Sequence, residues 1–133
     1  MMLSDVRDLI ETLGIADPDH VYQGILDNKM EKSIGVYNSK HAHAYKTAIG
    51  GASLKSYGTK YVTLLVHWNK SSRETESAAN SLLEALMAID DVTINNQVVK
   101  FIQPLYDIQG VGRDEAGICE MVIEAAVIYD KKG

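Results

Sequence analysis

Cysteine is nearly absent from this chain. The single Cys119 among 133 residues rules out an internal disulfide, and such usage fits a reducing compartment better than an oxidising one. Proline is almost as scarce. Pro18 sits in an Asp17-Pro18-Asp19 turn, and Pro104 closes an apolar run. No apolar stretch approaches the ~20 residues needed to span a bilayer. The first residues, MMLSDVRDLIETLG, carry acids and lack the apolar centre of a signal peptide. These absences lead to the expectation of a product assembled in the cytoplasm, without a membrane partner.

Catalytic signatures are missing too. There is no GxSxG, Walker A, HExxH or CxxC. Gly110-Val111-Gly112 precedes a strand-like run instead of opening a helix, so it is not a dinucleotide fingerprint. Pro18-Asp19 with Asp27-Asn28-Lys29 faintly resembles the PD…(D/E)xK arrangement of metal-dependent nucleases, but both acidic elements fall on turn residues. His41 and His43, spaced i, i+2, have no Cys or acid nearby to complete a metal set, and read as solvated histidines. Asp90-Asp91 and Asp114-Glu115 read as acids at element ends. With no nucleophile, base and oxyanion donor assembled, the expectation is a non-enzyme without metal or cofactor.

One further absence organises the charge. From Lys32 to Arg73 there is no Asp or Glu, while Lys32, Lys40, Lys46, Lys55, Lys60, Lys70 and Arg73 supply seven positive charges. The other six basic residues share the rest of the chain with all 18 acids, leaving it at −12. Charge segregated this way favours head-to-tail contact between copies, or contact with an anionic partner.

What is present begins with Ile118 to Tyr129, ICEMVIEAAVIY. Its odd positions, Cys119, Met121, Ile123, Ala125, Val127 and Tyr129, are all apolar or aromatic. Its even positions mix Glu120 and Glu124 into an otherwise apolar set. Alternation of this kind predicts a long strand with one face on the core. Cys119, on that face, reads as a small buried hydrophobe.

Earlier in the chain, Ser4 can cap a helix with apolar positions Val6, Leu9, Ile10 and Leu13, and Gly14 stops it. His20 to Leu26 and Ser33 to Tyr37 read as a hairpin turned at Asp27-Asn28-Lys29. Asn38 to Thr59 lacks periodicity and reads as a long loop. Lys60 to Trp68, KYVTLLVHW, is a strand. Ser71 and Glu74 form a capping box for a helix from Ser72 to about Ala88, whose buried stripe is Ala79, Leu82, Leu83 and Leu86. Val92–Ile94 and Val98–Gln103 form a hairpin over Asn95-Asn96, and a loop with Gly110, Gly112 and Gly117 leads to the final strand. The chain is therefore expected to be a single α+β domain over 1–133, with a loop at about 38–59. Its sheet should be largely antiparallel and mixed, of about six strands, with two α-helices packed on one face.

Three segments together carry a resemblance. The run SIGVYNS (Ser33 to Ser39) leads through a Gly/Lys-rich loop to KYVTLLVHW. Then come the helix SSRETESAANSLLEAL and the run GVGRDEAGICEMVIEAAVIYDK. Their order over Val21 to Lys131 resembles the minor capsid proteins of tailed phages and prophages, and more broadly the tail-terminator (tail-completion) proteins of long-tailed phages. The resemblance implies a tail-terminator-like fold and a structural virion protein of the tail or neck, assembled in the host bacterial cytoplasm. Such proteins form a homo-oligomeric ring, typically a hexamer, that caps the tail tube and meets the head–tail connector proteins. DNA passes through the lumen without specific binding.

Candidate contact residues are Lys40, Lys46, Lys55, Lys60, Arg113, Glu120 and Glu124. Of these, Glu120 and Glu124 would line an acidic lumen or an interface, since bound phosphates need Lys or Arg. Two alternatives stay open. One is another neck or head-completion component. The other is a nucleic-acid-binding module using Lys40, Lys46, Lys55 and Lys60 with Tyr45 and Tyr57 as stacking platforms, against which the overall acidity stands.

Overall fold

The computed structural model describes residues 1–24, 30–40 and 57–130. The chain folds as an α+β domain built on β7 (Cys119–Asp130), the stretch singled out by its alternation. Along one side of β7 lies β3 (Tyr57–His67), antiparallel over its whole length from Tyr57↔Asp130 to His67↔Glu120. Along the other side lie two strands end to end: β5 (Gln97–Pro104) against Ala125–Tyr129, and β6 (Gln109–Arg113) against Cys119–Val122. The sheet is completed by β2 (Ser33–Asn38) on β3, β1 (Val21–Gln23) on β2, and β4 (Val92–Ile94) on β5. All pairs are antiparallel except β1 with β2, so the seven-stranded sheet is mixed.

Both helices, α1 (Leu3–Thr12) and α2 (Ser72–Met87), pack on one face. The odd side chains of β7 supply that face. Ile123, Ala125 and Val127 are buried with Val62, Leu64 and Val66 of β3, Ile34 and Val36 of β2, and Val99 and Ile102 of β5. From the helices come Val6, Leu9 and Ile10 on one, and Ala78, Ala79, Leu82 and Leu86 on the other, at the spacing of a single apolar stripe. Of the expected stripe of α2 only Leu83 is half-buried.

The sheet curls around α1, which touches β1 and β2 near one edge and β4 at the other. Polar contacts fix that clasp. Asn95 Nδ2 donates to Asp5 Oδ1 at 3.0 Å and to Asp8 Oδ2 at 2.8 Å, and Gln97 Nε2 donates to Asp5 Oδ2 at 2.9 Å. The hairpin that presents Asn95 and Gln97 turns at Asn95-Asn96 as expected, with φ of 50° and 66°. Positive φ at both central residues is the type I′ signature. Since Asn95 is committed to α1, Asn96 is the position to relieve. Asn96→Gly is expected to raise stability by about 0.5 kcal/mol, or Tm by a few degrees, because glycine adopts this region without a Cβ penalty. A calorimetric Tm that fell would show that the Asn96 side chain is needed.

Four expectations are corrected. The cap of α1 is Met2, not Ser4, which lies inside the helix; Asp5 reaches back to accept the Met2 N–H at 2.8 Å. β1 and β2 are not a hairpin but a parallel pair, Val21↔Ile34 to Gln23↔Val36. Arg7 of α1 holds the chain entering β1 by donating to the Val21 carbonyl at 2.9 Å and the Pro18 carbonyl at 2.7 Å. The turn expected at Asp27-Asn28-Lys29 falls within positions 25–29, which lie outside the described residues. The span 110–113, expected as loop, belongs to β6, and the described residues form seven strands where about six were expected, in the same α+β arrangement. The long loop has narrower bounds, since Asn38 belongs to β2 and Tyr57–Thr59 to β3; positions 41–56 of it lie outside the described residues.

The capping box of α2 is half realised. Ser71 Oγ accepts the Glu74 N–H at 3.2 Å, while the Ser71 N–H goes to Asn69 Oδ1 at 3.0 Å. No helix among the described residues is long and apolar enough to cross a membrane.

Candidate functional site

The face of the sheet without helices carries the even side chains of β7 and the odd ones of β3, because directly paired residues in a ladder share a side. Glu120, Val122, Glu124, Ala126 and Ile128 are thus aligned with His67, Leu65, Thr63, Tyr61 and Thr59. Toward the β7 C-terminus this face is apolar and open. Phe101 pairs with Ile128 from the β5 side, and Tyr57 lies one step beyond Thr59 on β3. Phe101 and Tyr57 are 48% and 49% exposed, large for aromatic side chains on a sheet.

The middle of the face is polar and closed. Glu124 is buried and accepts hydrogen bonds from Thr63 Oγ1 and from Ser39 Oγ, the latter at 3.3 Å. Its carboxylate joins β7, β3 and the end of β2.

At the other end stands His67, whose side chain is fully buried. Its Nδ1 lies 2.9 Å from Glu120 Oε2, across the β3–β7 pair. Its Nε2 lies 3.7 Å from Asp114 Oδ2. Asp114 opens the turn between β6 and β7, where its Oδ1 accepts the N–H groups of Ala116 and Ile118, both at 2.9 Å. The adjoining Arg113 pins the same turn to the segment before α2, donating to the Gly117 and Lys70 carbonyls, each at 2.9 Å.

The sequence-derived candidates distribute as follows. Glu120 and Glu124 share the helix-free face, as alternation predicts, but neither is a free surface charge. Glu124 is spent on Thr63 and Ser39, and Glu120 on His67. Arg113 is exposed with its guanidinium engaged in the turn. Lys40 is exposed just past β2, and Lys60 is half-buried on β3. Lys46 and Lys55, with His41, His43 and Tyr45, lie outside the described residues. His67 and Asp114 were missed as partners of Glu120. The available signal was an ionisable side chain at the outward end of each of two strong strands, His67 in KYVTLLVHW and Glu120 in ICEMVIEAAVIY.

Among the described residues, His67, Asp114 and Glu120 are the group able to hold a metal ion. Cys119, next to Glu120, is a buried free thiol. No protein-family model matches the chain, and no curated protein matches it.

Proposed function

We propose that the chain is a structural virion protein of a tailed phage or prophage, a ring-forming tail terminator that caps the tail tube and joins it to the head connector. The observation that carries this reading is the two-faced sheet. Both helices cover one side, and the other presents Phe101 and Tyr57, half exposed around Ile128. Surface of this kind is what a neighbouring copy covers when subunits assemble.

The charge pattern supports the same reading. A ring needs two different complementary patches on each subunit, and the acid-free span from Lys32 to Arg73 against the acidic remainder supplies them. The order of segments over Val21 to Lys131, which resembles tail terminators, adds the position in the virion. On this reading the protein catalyses nothing. Its partners are its own copies, the tail-tube protein and the connector. Because Glu120 and Glu124 are engaged within the subunit, the lumen surface is assigned to other residues.

The test is electron microscopy of particles from the parent phage carrying a stop codon in this gene. Overlong tubes beside filled, unjoined heads are expected. Tails of normal length beside leaking or empty heads would move the protein to the head side of the joint, as another neck component. Normal virions would overturn the reading altogether.

A further inference from the structure

We propose that His67, Asp114 and Glu120 form a binding site for a divalent transition-metal ion, represented by Zn²⁺, that staples the β6–β7 turn to the end of β3. The proposal does not depend on the virion reading. The three residues come from separate parts of the chain, and one ring nitrogen and one oxygen from each carboxylate lie within 4.8 Å of one another. Metal–ligand bonds of about 2.0–2.2 Å at a tetrahedral angle place ligand atoms about 3.4 Å apart. A contraction of at most about 1.4 Å therefore closes the set around an ion.

The orientation of Asp114 is the telling detail. Its Oδ2 stands 3.7 Å from His67 Nε2, beyond hydrogen-bond range. Its Oδ1 is meanwhile fixed by the N–H groups of Ala116 and Ile118. The turn, not a bond to the imidazole, aims that second oxygen at His67. Glu120, held by the β3–β7 register, stands at the other ring nitrogen, 2.9 Å from Nδ1, so closing the set on one ion also takes a turn of the ring or of the Glu120 carboxylate. A neutral imidazole with two carboxylates carries two negative charges, which a dication balances.

Access and donor type agree with this assignment. The His67 side chain is 0% exposed, whereas those of Asp114 and Glu120 are 17% and 16% exposed, so the carboxylate side is where an ion enters and water completes its shell. One imidazole with two carboxylates suits Zn²⁺, Co²⁺ or Ni²⁺; Ca²⁺ and Mg²⁺ prefer all-oxygen shells.

The full chain, stripped with chelator and dialysed, is titrated with Zn²⁺ by calorimetry and with Co²⁺ by visible absorption. One ion per chain and a raised Tm are expected. Asp114→Asn, which keeps Oδ1 for the turn, and Glu120→Gln should each weaken binding about 10-fold or more. A His41→Gln/His43→Gln double variant should bind like the wild type. In the wild type, the His67 ring ¹⁵N resonances should move on Zn²⁺ addition, a readout independent of how any variant folds. Unmoved resonances, affinity undiminished in both carboxylate variants, or affinity lost in the double-histidine variant would each overturn the site.

Discussion

Ile123→Ala is expected to cost about 3–4 kcal/mol of unfolding free energy, a large part of the roughly 5–15 kcal/mol available to a domain. Ile123 is 1% exposed, pairs with Leu64 across β3, and belongs to the same buried cluster as Leu82 and Leu86 of α2 and Leu9 of α1. A cavity at this position sits between sheet and helices, where the central strand is hydrogen-bonded on both sides and has little room to collapse. The matched control is Val122→Ala, one residue away and half-buried on the helix-free face, for which about 1 kcal/mol is expected. Urea unfolding of both variants checks the assignment of faces. Equal costs, or a larger one at Val122, would mean that the core lies on the wrong side of β7.

Asp5→Ala should cost about 2–3 kcal/mol at pH 7, because it strips a buried carboxylate from the Met2 N–H and from the amides of Asn95 and Gln97. This loss should depend on pH. Burial alone would raise the Asp5 pKa, but the bonds from Met2, Asn95 and Gln97, with the N-terminal charge, outweigh it and hold the carboxyl below its ordinary value of 3.8. A depressed folded-state pKa contributes stability that is present above the ordinary value and is lost as pH falls through the folded one. The gap between wild type and Asp5→Ala should therefore be full at pH 7 and shrink below about pH 4. Unfolding curves at pH 7 and pH 2.5 decide it. A gap that stays constant would mean that Asp5 acts through packing, not through its charge.

The parts of the fold legible in the sequence were those whose pattern and physical cause coincide. Alternation marked β7 and β3 because each has one side on the core. Ser71 marked the start of α2 because its hydroxyl does accept the Glu74 N–H. Asn95-Asn96 marked a hairpin because asparagine tolerates positive φ. Other parts were set by contacts at long sequence separation. β6 has all five residues exposed and two glycines, so it shows no alternation and is a strand only because β7 offers it a partner. The direction of β1 depends on Arg7 grasping carbonyls 11 and 14 residues away. Ser4 looked like a cap because it stands just before the apolar series Val6, Leu9, Ile10 and Leu13; the rival acceptor, Asp5, works backwards onto Met2. In the candidate site Glu120 was visible, but His67 is 53 residues from it, and only strand register brings the two together.

The strand that holds the sheet together comes after all of its partners in sequence. β3, β5 and β6 share β7 as their neighbour, and it follows all three in sequence. During synthesis β3, β5 and β6 leave the ribosome before their shared neighbour, so the sheet closes only once β7 has emerged. A reading frame interrupted even shortly before Cys119 should therefore yield no partial subunit. Early stop codons and late ones placed before Cys119 would be equivalent nulls, because each removes the strand that both halves of the sheet share, and that strand becomes the domain's quality check.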